Sequence, residues 1–267
     1  MSTQLTVAGA QRIAAAFAGC GKRAALMPYL MGGFPDEATS RAIGEAYADG
    51  GADLVELGVP FSDPIADGPV IQAAATGALR AGASVDGVLA VCEGLAVRVP
   101  VVLMTYTNLV LARGTERFAA DAVSAGASGL IIPDLPLEEA PATLAACDAA
   151  GLALVPLVAP TSTDVRLQRI GARARGFLYT VSVTGTTGER TALSDAFAEV
   201  VARAKACTDV PVALGFGIAA PEQALAAAEA GADGVIVGSR LVRAAAEAAD
   251  PAAAVREVVA SFADALR

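Results

Sequence analysis

Eight short apolar runs recur along the chain, beginning near Ala25, Asp53, Val101, Gly129, Ala153, Phe177, Val212 and Gly234. Ala-rich amphipathic segments of helical length separate most of them. A strand that keeps alternating with a helix builds a parallel sheet covered by helices. Eight such units suit a closed barrel better than an open doubly wound sheet. The recurring Gly-Ala before a strand, at Gly51-Ala52, Gly126-Ala127 and Gly231-Ala232, fits helix C-caps that lead into short loops. Residues from about 7 to 20 have helical spacing but no strand to serve, so they read as an extra helix closing one end. The expected fold is α/β, a (β/α)8 TIM barrel with an extra N-terminal helix. No linker composition divides residues 1–267, which read as one domain.

One unit breaks the apolar rule. In Leu54-Val55-Glu56-Leu57, period-two alternation sets Leu54 and Glu56 on one face and Val55 and Leu57 on the other. A carboxylate is thereby aimed into whatever the strand end lines, which is costly unless it has a partner or a task. Buried ionisable groups concentrate at active sites, and Glu56 is a functional candidate on that ground. The following loop adds Asp63 and Asp67 before Gly68-Pro69 opens a helix. Each has an ordinary alternative: Asp67 as an N-cap, Asp63-Pro64 as a turn.

The stretch Glu56-Leu-Gly-Val-Pro-Phe-Ser-Asp-Pro-Ile-Ala-Asp-Gly-Pro69 resembles the signature of the tryptophan synthase alpha chain family, whose members cleave indole-3-glycerol phosphate. The pattern is long and fixes the spacing of both acids, and the likeness extends along most of the chain. It implies a retro-aldol carbon–carbon lyase. Glu56 would deliver the proton to the ring and take one from the hydroxyl. Asp67, kept charged in a wetter loop, would steady the ring N–H, while Glu56 would carry a raised pKa from its apolar setting. By the same resemblance Tyr29, Met104 and Tyr106 line the indole pocket, Tyr179 is the substrate-site tyrosine next to the catalytic Glu, and Thr187 belongs to a loop that closes over the substrate. Gly188, Gly217, Gly238 and Ser239 correspond to phosphate contacts. Asp63, Pro64, Asp134 and Pro136 are implied to face a beta chain in an α2β2 assembly. That beta chain would carry pyridoxal phosphate, and this chain no cofactor. Val183 and Met31 stand where other members have Arg and Thr.

The residues themselves support a phosphate end. Ser182-to-Gly188, Gly215-Phe216-Gly217-Ile218 and Gly238-Ser239 follow the last three strands. In barrels such loops hold phosphate on backbone N–H groups and a helix N-terminus. A net charge of −9 argues against a nucleic-acid partner and leaves anion binding to a local backbone nest. The absence of His removes imidazole triads and His metal ligands. Cys20, Cys92, Cys147 and Cys207 lack C-x-x-C spacing and read as buried thiols, so no metal site is expected. No apolar run is long enough to span a membrane, and the first residues lack the pattern of a signal peptide, which points to the cytoplasm. Three other readings remain at this point: a phosphate-binding isomerase or epimerase on the same barrel, a catalytically silent regulatory subunit, and an indole-forming lyase without a partner.

Overall fold

The computed structural model describes residues 8–181, 190–215 and 217–267, the side chains of 190–197 excepted. After helix α1 (Ala8–Gly19) come β1 (Ala25–Met31), α2 (Glu37–Asp49), β2 (Val55–Gly58), α3 (Pro69–Arg80), α4 (Val85–Ala96) and β3 (Val101–Met104). Next are α5 (Thr107–Arg113), α6 (Thr115–Ser124), β4 (Ala127–Ile131), α7 (Ala140–Ala150), β5 (Ala153–Val155) and β6 (Leu157–Val158). The chain finishes with α8 (Asp164–Gly171), β7 (Leu178–Val181), α9 (Arg190–Lys205), β8 (Val212–Gly215), α10 (Pro221–Glu229), β9 (Gly234–Val237), α11 (Ser239–Glu247) and α12 (Pro251–Leu266).

The strands form one parallel sheet in the order β5-β4-β3-β2-β1-β9-β8-β7-β6. Its two ends, β5 and β6, are consecutive in the chain and parted by Pro156. Proline has no N–H to give a ladder, so one strand position divides in two there. Its first half pairs with β4 and its second with β7, and the Pro156 carbonyl still accepts the Tyr179 N–H at 3.0 Å. The barrel therefore has the eight positions expected, the fifth being split.

Burial follows the alternation along each strand. Leu54, Val102, Ile131 and Ala213 pack inside the barrel, while Val55, Leu57, Leu103 and Leu214 pack outward under the helices. Helix α1 closes the N-terminal end as the sequence suggests. Ile13 is fully buried among barrel-interior residues, and the Gly9 N–H donates to the Gly151 carbonyl at 2.9 Å. A Cβ at Gly9 would sit 2.0 Å from the Ser128 carbonyl oxygen. Gly9→Ala should therefore lift this plug and cost roughly 1–3 kcal/mol in urea unfolding; an unchanged midpoint would show that the end cap bears no stability.

Gly51, Gly126 and Gly231 all hold positive φ, each one residue beyond the C-cap of its helix, which is Gly50, Ala125 or Ala230. Two of them begin a second device. Asp53 accepts the Leu26 N–H at 2.7 Å and pairs with Lys22, while Asp233 accepts the Val212 N–H at 2.8 Å and pairs with Lys205. An acid just before one strand thus satisfies a backbone N–H at the start of the preceding strand. The cysteines divide: Cys92 and Cys147 are buried, with thiol pKa values pushed up to about 12 by burial, but Cys20 and Cys207 are half-buried. Among the described residues no helix is long and apolar enough to cross a membrane.

Candidate active site

Glu56 is the interior residue near the C-terminal end of β2, in register with Tyr29 of β1 and Val102 of β3, and only 1% of it is exposed. Burial, then the neighbouring Asp67 charge, pushes its carboxyl pKa up to about 8. Among the described residues its Oε2 has no hydrogen-bond partner. An orphaned buried carboxyl oxygen costs stability, and at a barrel mouth it is a group held ready for something else.

Two aromatic side chains approach it because glycines leave room. A Cβ at Gly58 would lie 2.1 Å from the Tyr29 hydroxyl, and one at Gly215 would lie 2.5 Å from that of Tyr179. Burial, reinforced by the two acids, raises the pKa of both phenols, so they face the carboxylates as neutral hydroxyls.

Asp67 reaches the same place from the loop after β2. The N-cap of α3 is Gly68, and no side chain caps that helix, so the capping role open to Asp67 from sequence is not used. Its backbone is held instead, the N–H donating to the Pro64 carbonyl and the carbonyl accepting from Gln72 Nε2. The carboxyl is half-buried rather than in the wet loop expected, and burial raises its pKa while the Tyr106 hydroxyl beside it acts the other way. Asp63 is an exposed turn residue bonded to the Ser62 hydroxyl, and next to Pro64 the side chain of Ile65 is 80% exposed.

A cavity of about 190 Å³ joins these groups to the far side of the mouth. Tyr29, Glu56, Asp67, Met104 and Tyr179 line it together with Gly217, Gly238 and Ser239. Gly217 has a φ of 83°, and Gly238 is the N-cap of α11 with no side chain closing the helix, so its first N–H groups are open to an anion. Ile71, Ile218, Ile236 and Arg240 also line the cavity, and nothing in the sequence singles them out. The Arg240 side chain has no hydrogen bond or ion pair to another described residue, while its backbone belongs to α11. Thr187 and Gly188 lie outside the described residues. Tyr106 does not line the cavity; its hydroxyl accepts the Ala66 N–H at 3.1 Å.

A second, apolar cavity of about 600 Å³ lies beyond Met104 and Tyr179, which wall both spaces. Ile132, Leu135, Leu154, Leu157 and Val158 make up much of its surface, and Asp134 and Pro136 stand at its edge. Asp134 Oδ1 accepts both the Thr107 N–H and its hydroxyl, at 2.9 and 3.0 Å. Among the described residues there is no cluster of three or more metal-ligating side chains. One carboxyl protonated near neutral pH and one less shifted, with apolar walls and an anion seat across the opening, suit proton transfer on a flat, phosphorylated substrate.

A family model described as tryptophan synthase alpha chain matches residues 17–266. Among curated relatives, the tryptophan synthase alpha chain of Prochlorococcus marinus is 49% identical over 229 residues, covering 85% of this chain and 83% of that protein. That of Methanosarcina acetivorans is 49% identical over 222 residues, covering 83% and 81%. Among solved structures, the aminoacrylate- and BRD0059-bound tryptophan synthase of M. tuberculosis superposes with a TM-score of 0.87 at 40% identity, over 96% of this chain and 98% of that one. Tryptophan synthase subunit alpha of Legionella pneumophila does so with 0.87 at 35% identity, over 96% and 98%.

Proposed function

The chain belongs to the tryptophan synthase alpha chain family, and we propose that Glu56 and Asp67 are the pair through which it performs the family's reaction. That reaction is the cleavage of indole-3-glycerol phosphate to indole and glyceraldehyde 3-phosphate, and the indole passes to a beta chain for tryptophan synthesis. The pyridoxal phosphate of the pair belongs to the beta chain. Family membership sets aside the isomerase reading and the partnerless lyase.

Protonated Glu56 gives its proton to ring C3, which makes the ring nitrogen cationic, and Asp67 steadies that N–H. The resulting Glu56 carboxylate then takes the proton of the glycerol hydroxyl. The oxygen's electron pair forms the aldehyde carbonyl, the C–C bond breaks, and its electrons restore the aromatic ring. Glu56 ends protonated, as it began. The single observation that carries this assignment is that a buried acid with a pKa near 8 and an orphaned oxygen shares a cavity with a second, uncapped acid. The ring occupies the space between the acids and the apolar cavity beyond Met104 and Tyr179. The phosphate sits on the N–H groups of Gly217, Gly238 and Ser239; Thr187 and Gly188, which the family resemblance also assigns to the substrate, lie outside the described residues.

Arg240 adds a cation to that seat, which matters in a chain of net charge −9. Arg240→Gln should raise the KM for indole-3-glycerol phosphate roughly 3- to 10-fold with kcat little changed, an effect that fades with added salt. An unaltered KM at low salt would remove Arg240 from the phosphate site.

Asp63, Pro64 and Pro136 form the surface offered to the beta chain, with exposed Ile65 beside them and Asp134 behind. Residues 1–267 act as one domain, in the cytoplasm. The test is indole release from indole-3-glycerol phosphate by the purified chain, alone and with a beta chain. Release that rises on adding the beta chain supports the reading, and no release under either condition defeats it.

A further inference from the structure

We propose that Tyr106 is a positioning residue that holds the Ala66–Asp67 turn in place, and that Asp134 in turn anchors Tyr106. This rests on the reading of Asp67 given above. Tyr106 is buried, yet it does not line the catalytic cavity, so a role in direct substrate contact leaves its contacts unexplained. Its ring stacks on Phe61 with centroids 5.2 Å apart and planes 27° off parallel. Its hydroxyl oxygen accepts the Ala66 N–H at 3.1 Å. One hydroxyl hydrogen remains to be donated, and on this proposal it goes to the carboxyl of Asp67, the residue next to Ala66 in the held turn. Phe61 and Ala66 flank the loop between the two acids, so the ring and its hydroxyl grip that loop at both ends.

The residues on either side of Tyr106 are themselves tied to the end of β4. The Thr105 N–H donates to the Ile131 carbonyl at 3.0 Å, and Asp134 Oδ1 accepts both the N–H and the hydroxyl of Thr107. Asp134 thus fixes Thr107 by two hydrogen bonds, the chain joins Thr107 to Tyr106, and the Tyr106 hydroxyl holds the turn that carries Asp67. Glu56 of β2, Tyr29 of β1 and Tyr179 of β7 line the same cavity as Asp67, and the Tyr106 hydroxyl is the neighbour that lowers the Asp67 pKa against the raising effect of burial.

The experiment measures kcat, KM and the pH dependence of kcat/KM for Tyr106→Phe, which keeps the ring and its stacking but loses the hydroxyl. A hydrogen bond to a charged group is worth about 10- to 100-fold. The expected result is a kcat lower by about that factor, KM within about twofold of wild type, and an acidic limb of the pH profile moved to higher pH. Asp134→Ala should cause a smaller loss of the same kind, and Asp134→Asn, which still offers an oxygen to Thr107, should restore most of it. In an Asp67→Asn background, Tyr106→Phe should have little further effect, because it acts through that acid.

A raised KM with unchanged kcat would make Tyr106 a substrate contact and overturn the proposal. So would wild-type kinetics, or a full additional loss in the Asp67→Asn background. If Asp67→Asn alone keeps wild-type activity, the assignment of Asp67 falls and this proposal falls with it; the other outcomes overturn this proposal alone.

Discussion

Glu56→Gln should lower the rate of indole formation about 10²- to 10⁴-fold, while indole-3-glycerol phosphate still binds. The substitution keeps the volume and one oxygen of the side chain and replaces the acidic carboxyl proton with amide N–H groups that do not ionise. Position in the barrel makes the effect large. Glu56 is almost fully enclosed, and among the described residues its Oε2 has no hydrogen-bond partner. Tyr29 and Tyr179 stand nearby, but burial and the two acids hold both hydroxyls neutral, so neither replaces Glu56 as a base near pH 7. Comparing single-turnover indole formation with substrate binding separates loss of chemistry from loss of the pocket. A variant that retains near-normal turnover would end the assignment.

The same substitution should make the protein more stable, by an amount that depends on pH. The Glu56 carboxyl is raised from 4.5 to about 8 on folding. Below pH 4.5 it is protonated in both states and imposes no penalty. As the pH rises through this window the unfolded chain ionises while the folded one stays neutral, so stability is lost progressively. Above pH 8 the loss is complete. Each pH unit of that window costs about 1.4 kcal/mol, so the whole loss is on the order of 5 kcal/mol. Glu56→Gln has no such titration. Its stability advantage over wild type, measured by urea unfolding across pH 4 to 9, should therefore open between pH 4.5 and 8 and then level off. A constant difference between the two proteins across that range would show that the acid titrates in the folded state much as it does in water.

A protein that keeps an acid at such a cost has put function ahead of stability, and this is where the sequence was most legible. Alternation alone placed Glu56 inside the barrel, because the flanking Val55 and Leu57 had to face the helices. The eight runs gave the barrel, since they were short and, Glu56 aside, largely apolar, and most were followed by a helical segment that could cover them. Local chemistry also marked the open N-terminus of α11 at Gly238-Ser239. Residues that owe their place to tertiary packing carried no such mark. Ile71, Ile236 and Arg240 reach the cavity from two helices and a strand whose sequences look ordinary. Tyr106 could be placed near the mouth, but the direction of its hydroxyl depends on Phe61 and Ala66 in another loop. The solvation of Asp67 was misjudged for the same reason. Its neighbours in sequence are turn residues, whereas its neighbours in space include Glu56 and three tyrosines.

Glu56→Gln also supplies the means of seeing the substrate, since it should bind indole-3-glycerol phosphate without consuming it. A crystal structure of that complex should place the Asp67 carboxylate within hydrogen-bond distance of the ring N–H, residue 56 beside ring C3, and the phosphate on the N–H groups of Gly238 and Ser239. A ring bound away from both acids, or a phosphate held elsewhere, would contradict the mechanism.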